Sequence, residues 1–384
     1  MPRDLTNRNV ILGLSGGVDS AVAALLLKEA GANVQALHMT NWEDEDGYCT
    51  AAEDLQDARN VCDQLNIILH HVNFAKQYRD RVFQYFLDEY SAGRTPNPDV
   101  LCNREIKFGV FREHARRLGG ELLATGHYAR TSIVAGQPQL LKAADLNKDQ
   151  SYFLHAVSSD ALAETVFPLG DLHKDEVRQI AHDNGLAVHN KKDSTGICFI
   201  GERPFREFLS TYLPANPGPI RTPDGRNIGE HHGLMYYTLG QRQGLGIGGR
   251  QDAGDEPWYV VDKQPGDNAL IVDQGNTDLL LSDSLVATDA SWISKPPAEL
   301  AGGLSCMAKI RYRQADQACT VENGPDNTLQ VRFDTPQRAV APGQYAVFYV
   351  GDSCLGGAVI DQIHKNSVAP SAIMRPPDDL AGHG

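Results

Sequence analysis

The stretch Val10-Ile-Leu-Gly-Leu-Ser-Gly-Gly-Val-Asp-Ser20 constrains this chain more than any other. Residues 10–14 form a short apolar run, the length of one buried strand. Ser15, Gly16, Gly17, Asp19 and Ser20 make a turn, and an Ala/Leu-rich helix follows until Gly31 stops it. A strand, a glycine turn and a helix start gather backbone N–H groups around one point, with the positive end of the helix dipole behind them. That geometry binds an anion, most often phosphate. Glycines let the backbone come close to it.

The spacing excludes two nucleotide folds. A dinucleotide fingerprint needs G-x-G-x-x-G and a Walker loop needs G-x-x-x-x-G-K-S/T, and neither is present. Hydroxyls and an aspartate stand where a Walker loop has its lysine. Ser-Gly-Gly-Val-Asp-Ser resembles the loop of the ATP pyrophosphatases, which split ATP between its α- and β-phosphates and adenylate a substrate. The resemblance implies an ATP site made of Gly13, Leu14, Ser15, Gly16, Gly17, Val18, Asp19 and Ser20, with Asp19 helping to hold Mg2+. An ordinary strand-to-helix turn is the alternative.

At 384 residues the chain is too long for one compact core. No apolar run reaches the length of a membrane span, and the N-terminus has no apolar h-region, so a cytoplasmic protein is expected. The cysteines at 49, 62, 102, 198, 306, 319 and 354 are odd in number and include no C-x-x-C pair, against a disulfide scaffold or a standard zinc site. His70-His71 and His231-His232 read as solvated or packed pairs. The formal net charge of −14 argues against a broad, non-specific nucleic-acid binder. One local basic patch remains, Arg104, Lys107, Arg112, Arg116 and Arg117 against Glu105 and Glu113.

Strands are expected at residues 33–39, 67–72 and 121–125, and helices at 51–65, 78–92 and 107–118. Helices alternating with short apolar strands mean a doubly wound parallel sheet. Such sheets bind ligands beyond the carboxyl ends of their strands, where Ser15, Met39 and Gly126 fall. Met39 would offer backbone and an apolar wall to adenine, or be a core methionine. Texture changes at Pro214, after which short alternating runs between Gly/Pro/Asn/Asp clusters read as all-β. The expected division is an α/β catalytic domain over 1–213, a central β domain over 214–283, a C-terminal β-barrel over 284–364 and a disordered tail over 365–384.

Two cysteines stand apart by their surroundings. Cys102 lies in Thr95-Pro-Asn-Pro-Asp-Val-Leu-Cys-Asn-Arg-Glu-Ile-Lys-Phe108, where two prolines fix an extended loop. Arg104, Lys107 and a helix start near Arg104 would favour its thiolate. Cys198 lies in Asp193-Ser-Thr-Gly-Ile-Cys-Phe-Ile-Gly201, which is also compatible with a buried strand and an inert thiol.

Together these segments resemble the bacterial tRNA-specific 2-thiouridylases. The matching pieces include the Gly13–Ser20 loop, the 95–108 segment, Ala124-Thr-Gly-His-Tyr-Ala129 and Lys148-Asp-Gln-Ser-Tyr-Phe153. They continue with Gly196-Ile-Cys-Phe-Ile-Gly-Glu-Arg203, Thr238-Leu-Gly-Gln-Arg-Gln-Gly-Leu-Gly246 and Lys309-Ile-Arg-Tyr-Arg313. The resemblance implies ATP-dependent 2-thiolation of a tRNA wobble uridine: adenylation of uracil O2, then sulfur transfer from a cysteine persulfide. It implies Cys102 and Cys198 as the sulfur-handling pair, joined by a transient catalytic disulfide, and Asp99 as general acid/base. Asn97, Pro98 and Asp99 would meet the target base, with His127 beside it. Lys148, Asp149, Gln150, Arg311, Tyr312 and Gln344 would touch the tRNA. The implied partners are the tRNA anticodon loop and an upstream persulfide-relay protein, with the enzyme a monomer that binds no membrane.

Two other readings compete. An amidotransferase-type or argininosuccinate synthetase-type ligase would use the ATP loop but leave both cysteine contexts and two β domains unexplained. A non-enzymatic RNA-binding protein would use Arg311 and Tyr312 but leave Asp19 and the Cys102 loop idle.

Overall fold

The computed structural model describes residues 4–43, 51–192, 199–201, 203–248, 254–275 and 277–365. Seven strands precede residue 170: β1 (Asn9–Gly13), β2 (Asn33–Thr40), β3 (Ile68–Asn73), β4 (Leu122–Thr125), β5 (Arg130–Val134), β6 (Gln137–Leu141) and β7 (Thr165–Val166). Five of them form a sheet of order β3-β2-β1-β4-β7 with every pairing parallel. Alternation along the central strands explains the two-sided cover. Ile11, Leu37 and Leu123 point into one apolar cluster, and Val10, Leu12, Ala36, Leu122 and Ala124 into the other. The helix Val18–Glu29 lies on the second face, burying Ala21, Val22, Ala23, Ala24 and Leu27. Small side chains there let helix and sheet approach closely. The expected doubly wound α/β domain is present.

Two helical segments are longer than periodicity predicts. One runs through Ala75–Tyr78, Arg79–Phe83 and Gln84–Ser91; the other through Pro98–Leu101, Cys102–Val110 and Phe111–Arg117. Wide π-type turns break the 3.6-residue period in both, and Gly109 leaves helical geometry at φ −102° and ψ −107°. The second starts at Pro98, whose ring is already set for a first turn. Cys102 therefore sits one turn inside a helix, not ahead of one starting near Arg104.

The β5–β6 hairpin was not expected. Its turn, Ala135-Gly136, has φ of 49° and 77°, as a two-residue hairpin of this hand requires.

Four strands form the central sheet, β8 (Gly218–Arg221), β9 (Asn227–His231), β10 (Trp258–Gln264) and β11 (Ala269–Gln274), in the order β10-β11-β8-β9. Six more close into a barrel: β12 (Leu281–Trp292), β13 (Leu304–Lys309), β14 (Gln317–Asn323), β15 (Leu329–Arg338), β16 (Tyr345–Val350) and β17 (Ser353–Lys365). The order is β12-β15-β14-β13-β16-β17, and β12 pairs with β17 to complete it. Inward residues such as Leu285, Ala308, Val321, Val331, Phe348 and Ile360 fill it. The β5–β6 hairpin joins this barrel through Leu140↔Cys354 and Leu141↔Ser353, so the N-terminal chain is built into the C-terminal sheet.

β13 ends at Lys309, and Arg311 and Tyr312 lie on the following turn, where Arg313 takes φ 62°. Lys365 belongs to β17; residues 366–384, expected as a tail, lie outside the described residues. Among the described residues no helix is long and apolar enough to cross a membrane.

Candidate active site

The loop after β1 is held from three sides. Leu14 O accepts a 2.8 Å hydrogen bond from His38, whose pKa burial lowers. Within the loop, Ser15 N donates to Ser20 Oγ at 3.2 Å, and Ser20 Oγ donates to Gly17 O at 3.1 Å. Gly16 has φ +80°, and a Cβ there would lie 2.2 Å from Asp54 O. On the other side, a Cβ on Gly126 would lie 2.9 Å from Ser20 N. Gly17 caps the helix without a side chain, which leaves its first turn facing the loop. Ser15, Met39 and Gly126 stand at the carboxyl ends of neighbouring strands β1, β2 and β4. Met39 is half-buried and packs against the core.

Two lysines complete this loop, and neither was foreseen. Lys174 Nζ lies 2.6 Å from Asp19 Oδ1, and the Tyr128 hydroxyl donates to the same oxygen at 2.8 Å. The Lys174 ammonium is buried, 5.8 Å above the Tyr128 ring, and its backbone N–H is held by Asp145 at 3.0 Å. Lys191 donates to Gly16 O at 3.2 Å and pairs with Asp54 at 2.7 Å and with Asp57. These hydrogen bonds raise its pKa against the cost of burial. No local pattern marks either lysine, because each acts across more than a hundred residues of chain.

Asp19 is a single carboxylate, and among the described residues no group of three or more His, Cys, Asp and Glu side chains could hold a metal. That donor set fits a magnesium ion that arrives on a nucleotide's phosphates, which needs only one or two protein carboxylates. His70 and His71 diverge on β3, to Gln35 at 2.8 Å and Thr40 at 2.9 Å. His231 is a packed histidine, bonded to Asn268 O at 2.9 Å.

One residue after Gly126, His127 reaches the second half of the site. It is 9% exposed, and its Nδ1 lies 2.8 Å from Thr125 Oγ1. Its Nε2 lies 3.5 Å from Lys107 Nζ. Burial first, and then the Lys107 charge, hold its pKa well below the ordinary histidine value. Asp99 is raised by burial, and Lys107 partly offsets the rise. Asp99, Cys102 and Lys107 belong to one helical segment beginning at Pro98. Cys102 is 3% exposed, within a cluster that includes Leu101, Ile106, Tyr152 and Phe199. Cys198 lies outside the described residues; Phe199, next in the chain, is 1% exposed in that cluster and packs on Phe83 and Phe86.

The loop before this segment leans on the C-terminal half. Thr95 N donates to Pro342 O at 2.8 Å, and Gln344 Nε2 donates to Thr95 O at 2.9 Å and Pro96 O at 3.2 Å. Asn97 Nδ2 donates to Gln344 Oε1 at 3.4 Å. Gln344, expected on the tRNA, thus turns its amide to the loop.

The other expected RNA contacts separate. Arg311 is exposed, with Nη1 donating to Arg338 O at 3.3 Å. Tyr312 is half-buried against Phe153, with 4.5 Å between ring centroids, and Arg313 lies 5.4 Å over its ring. Phe153 O in turn accepts from Asn103, the neighbour of Cys102, at 3.1 Å. Lys148 is half-buried in the turn that follows Asp145, its N–H donating to Asp145 O at 3.0 Å. Asp149, expected on the tRNA, faces inward. It is 3% exposed and accepts from Ala143 N, Ser151 N and Ser151 Oγ at 3.1, 3.1 and 2.9 Å. Gln150 accepts from Tyr128 N at 2.9 Å, bracing the tyrosine that holds Asp19.

Comparison with known proteins gives the family. The tRNA methyl transferase HUP domain family matches residues 8–202, the tRNA methyl transferase PRC-barrel domain family residues 206–274, and the Aminomethyltransferase beta-barrel domain family residues 282–360. The tRNA-specific 2-thiouridylase MnmA of Pseudomonas fluorescens (strain Pf0-1) is 58% identical over 363 residues, covering 94% of this chain and 96% of that protein. That of Stutzerimonas stutzeri (strain A1501) is 59% identical over 356 residues, covering 92% and 94%. Among solved structures, the U34-tRNA thiolase NcsA of Methanococcus maripaludis aligns over 54% of this chain and 65% of that one, at 23% identity and a TM-score of 0.35. On sequence identity over nearly its whole length, this chain belongs to the MnmA family of tRNA-specific 2-thiouridylases.

Proposed function

We propose that the protein is an ATP-dependent tRNA-uridine 2-sulfurtransferase acting at the wobble position. One observation carries the reading. Gly126 abuts the phosphate loop at Ser20, and His127, next in the chain, faces Lys107 on the segment that bears Asp99 and Cys102. Two consecutive residues thus link the nucleotide-type loop to the helical segment that carries the proposed acid/base and the thiol.

In this reading the loop amides, Ser15 and Ser20 hold the leaving pyrophosphate, and Lys174 supplies positive charge where negative charge develops. Magnesium, held by Asp19 and the phosphates, would add further charge neutralisation. The wobble base is splayed out of its stack towards Asp99. Asp99, as carboxylate, takes the uracil N3 proton, so that O2 attacks the α-phosphate and pyrophosphate leaves. AMP then becomes the leaving group at C2. The sulfur arrives as a persulfide on Cys198, loaded by a relay protein. In one route Cys102 thiolate attacks Cys198 Sγ, forming a disulfide and releasing hydrosulfide, which displaces AMP. In the other the terminal persulfide sulfur attacks C2 directly, and Cys102 then cleaves the Cys198 S–S bond. Both end in the same disulfide, which an external thiol reduces. Arg311 and Tyr312 would contact phosphate and base on the tRNA, a localised interface that suits a chain of net charge −14.

The test is ATP–pyrophosphate exchange with and without tRNA. Exchange that needs tRNA supports the reading. Exchange that ignores tRNA but follows another acceptor favours the amidotransferase-type ligase. The mass of the modified nucleoside distinguishes sulfur replacement from methylation.

A further inference from the structure

The barrel does more than the proposed function asks of an RNA-binding module. Residues 95–97, which lead into the helix bearing Asp99 and Cys102, make their loop hydrogen bonds to the C-terminal half of the chain. Thr95 N is bound to Pro342 O, and the Thr95 and Thr238 hydroxyls lie 3.2 Å apart. Gln344 grips the loop with both ends of its amide: Nε2 spends its two hydrogens on Thr95 O and Pro96 O, and Oε1 accepts from Asn97. Gly343, at φ +91°, lets this happen, since a Cβ there would lie 2.9 Å from Thr95 N. Just before the loop, Lys263 of the central sheet donates to Gly93 O at 3.0 Å. Pro96 and Pro98 carry no N–H, so the loop has few donors with which to fix itself.

The grip is useful only if the barrel is itself fixed on the α/β domain, and it is. The β5–β6 hairpin extends β17, and a buried charge cluster seals the joint. Lys142 reaches Gly351 O at 3.2 Å and pairs with Asp316. Lys309 lies 3.6 Å from Asp149 and 3.8 Å from Asp316. Both ammonium groups sit over the Tyr349 ring, at 4.6 and 5.4 Å. The Gln344 backbone is clamped too, its carbonyl accepting from Ile360 N at 2.7 Å.

We infer that Gln344 is a positioning residue: through it the barrel sets the start of the Pro98 helix, and so the placement of Asp99 and Cys102 against the phosphate loop. This rests on the proposed thiolation. Asp99 lies in the first turn of that helix and Cys102 one turn further, so a shift at residues 95–97 moves both groups. Misplacement of about 1 Å costs up to ~10²-fold in rate. The inference differs from a direct tRNA contact by Gln344, because the amide hydrogens such a contact would use already face Thr95 and Pro96.

The experiment uses full-length Gln344→Leu, with Gln344→Glu as the second variant. Glutamate keeps the acceptor for Asn97 but sets oxygen against two carbonyls. Thermal melting establishes that each variant is folded. Three quantities are compared with wild type: tRNA affinity by filter binding, the single-turnover thiolation rate at saturating tRNA, and the rate of Cys102 alkylation by iodoacetamide without tRNA. Positioning predicts affinity within about twofold, a thiolation rate lower by about 10- to 100-fold, and faster alkylation. Weakened tRNA binding with an unchanged saturating rate overturns the inference in favour of direct contact. Unchanged alkylation in both folded variants also overturns it. If wild type itself makes no 2-thiouridine, the thiolation reading fails, while the alkylation comparison still decides whether Gln344 positions Cys102.

Discussion

The Lys174 ammonium lies 2.6 Å from Asp19 Oδ1, an oxygen it shares with the Tyr128 hydroxyl. The aspartate of the phosphate loop is thus held by groups from two distant segments. Replacing Lys174 by Met should lower tRNA-dependent ATP–pyrophosphate exchange by about 10²-fold, the usual effect of removing one preorganised charge partner. Lys174→Arg should recover part of it. Exchange kinetics at fixed tRNA would show this, and unchanged exchange in Lys174→Met would remove the lysine from the site.

Gly16→Ala should damage the loop by two routes. The new Cβ would lie 2.2 Å from Asp54 O, and the position requires φ +80°. Backbone strain of this kind costs about 1–3 kcal/mol, and the clash must also push the helix Ala51–Leu65 away. A lower Tm and lost ATP protection in the same melting experiment are expected. Gly17→Ala, whose Cβ would come within 4 Å of Ser15 Oγ alone among the described residues, at 3.5 Å, is the milder control.

Burial raises the pKa of the Asp99 carboxyl, and the Lys107 charge pulls it partly back. The active form in the proposed reaction is the carboxylate, so the thiolation rate should fall as pH drops through that raised pKa. The acid limb of the pH–rate profile should therefore lie higher than for a solvent-exposed aspartate, and Lys107→Met should move it higher still. Stability runs the other way. A raised folded pKa favours the folded state at low pH, and that advantage is lost as pH rises through it. Asp99→Asn should abolish thiolation while stabilising the fold at neutral pH. An acid limb that ignores Lys107 would contradict this.

Asp149 should behave as a structural residue. Its side chain is 1% exposed, with Lys309 Nζ 3.6 Å away. Breaking a buried pair by removing one partner costs about 3–5 kcal/mol, so Asp149→Ala should lower the urea midpoint markedly. tRNA affinity of the folded protein should stay near wild type. A stable variant with weak tRNA binding would return Asp149 to the RNA interface.

The parallel sheet was legible because Val10, Ile11 and Leu12, with their counterparts in β2 and β4, are apolar on both faces. The glycine-hydroxyl turn after them was legible for the same local reason. The β5–β6 hairpin was not. Arg130-Thr-Ser-Ile-Val134 is a short, mixed segment, and the strand that β6 joins lies over 200 residues downstream. Wide helical turns around Cys102 hid the true helix start, since a π-type turn destroys the period on which such a prediction rests. Lys174 and Lys191 escaped because their partners are distant in the chain, and an isolated lysine carries no signal. Resemblance singled out Gln344, but only geometry shows what its amide faces. The burial of Asp149 was not legible, because a short polar run looks the same on a surface and in a sealed turn.

In the proposed reaction, ATP activation and sulfur delivery act on the same tRNA base. The direct test is thiolation of unmodified tRNA with ATP, magnesium and a persulfide source, read as 2-thiouridine by nucleoside mass spectrometry. Wild type is compared with Asp19→Ala, Cys102→Ala and Cys198→Ala. The account predicts 2-thiouridine from wild type alone, with tRNA-dependent pyrophosphate exchange lost in Asp19→Ala and retained in both cysteine variants. Wild-type protein that consumes ATP with another acceptor and leaves every tRNA uridine unthiolated would contradict it.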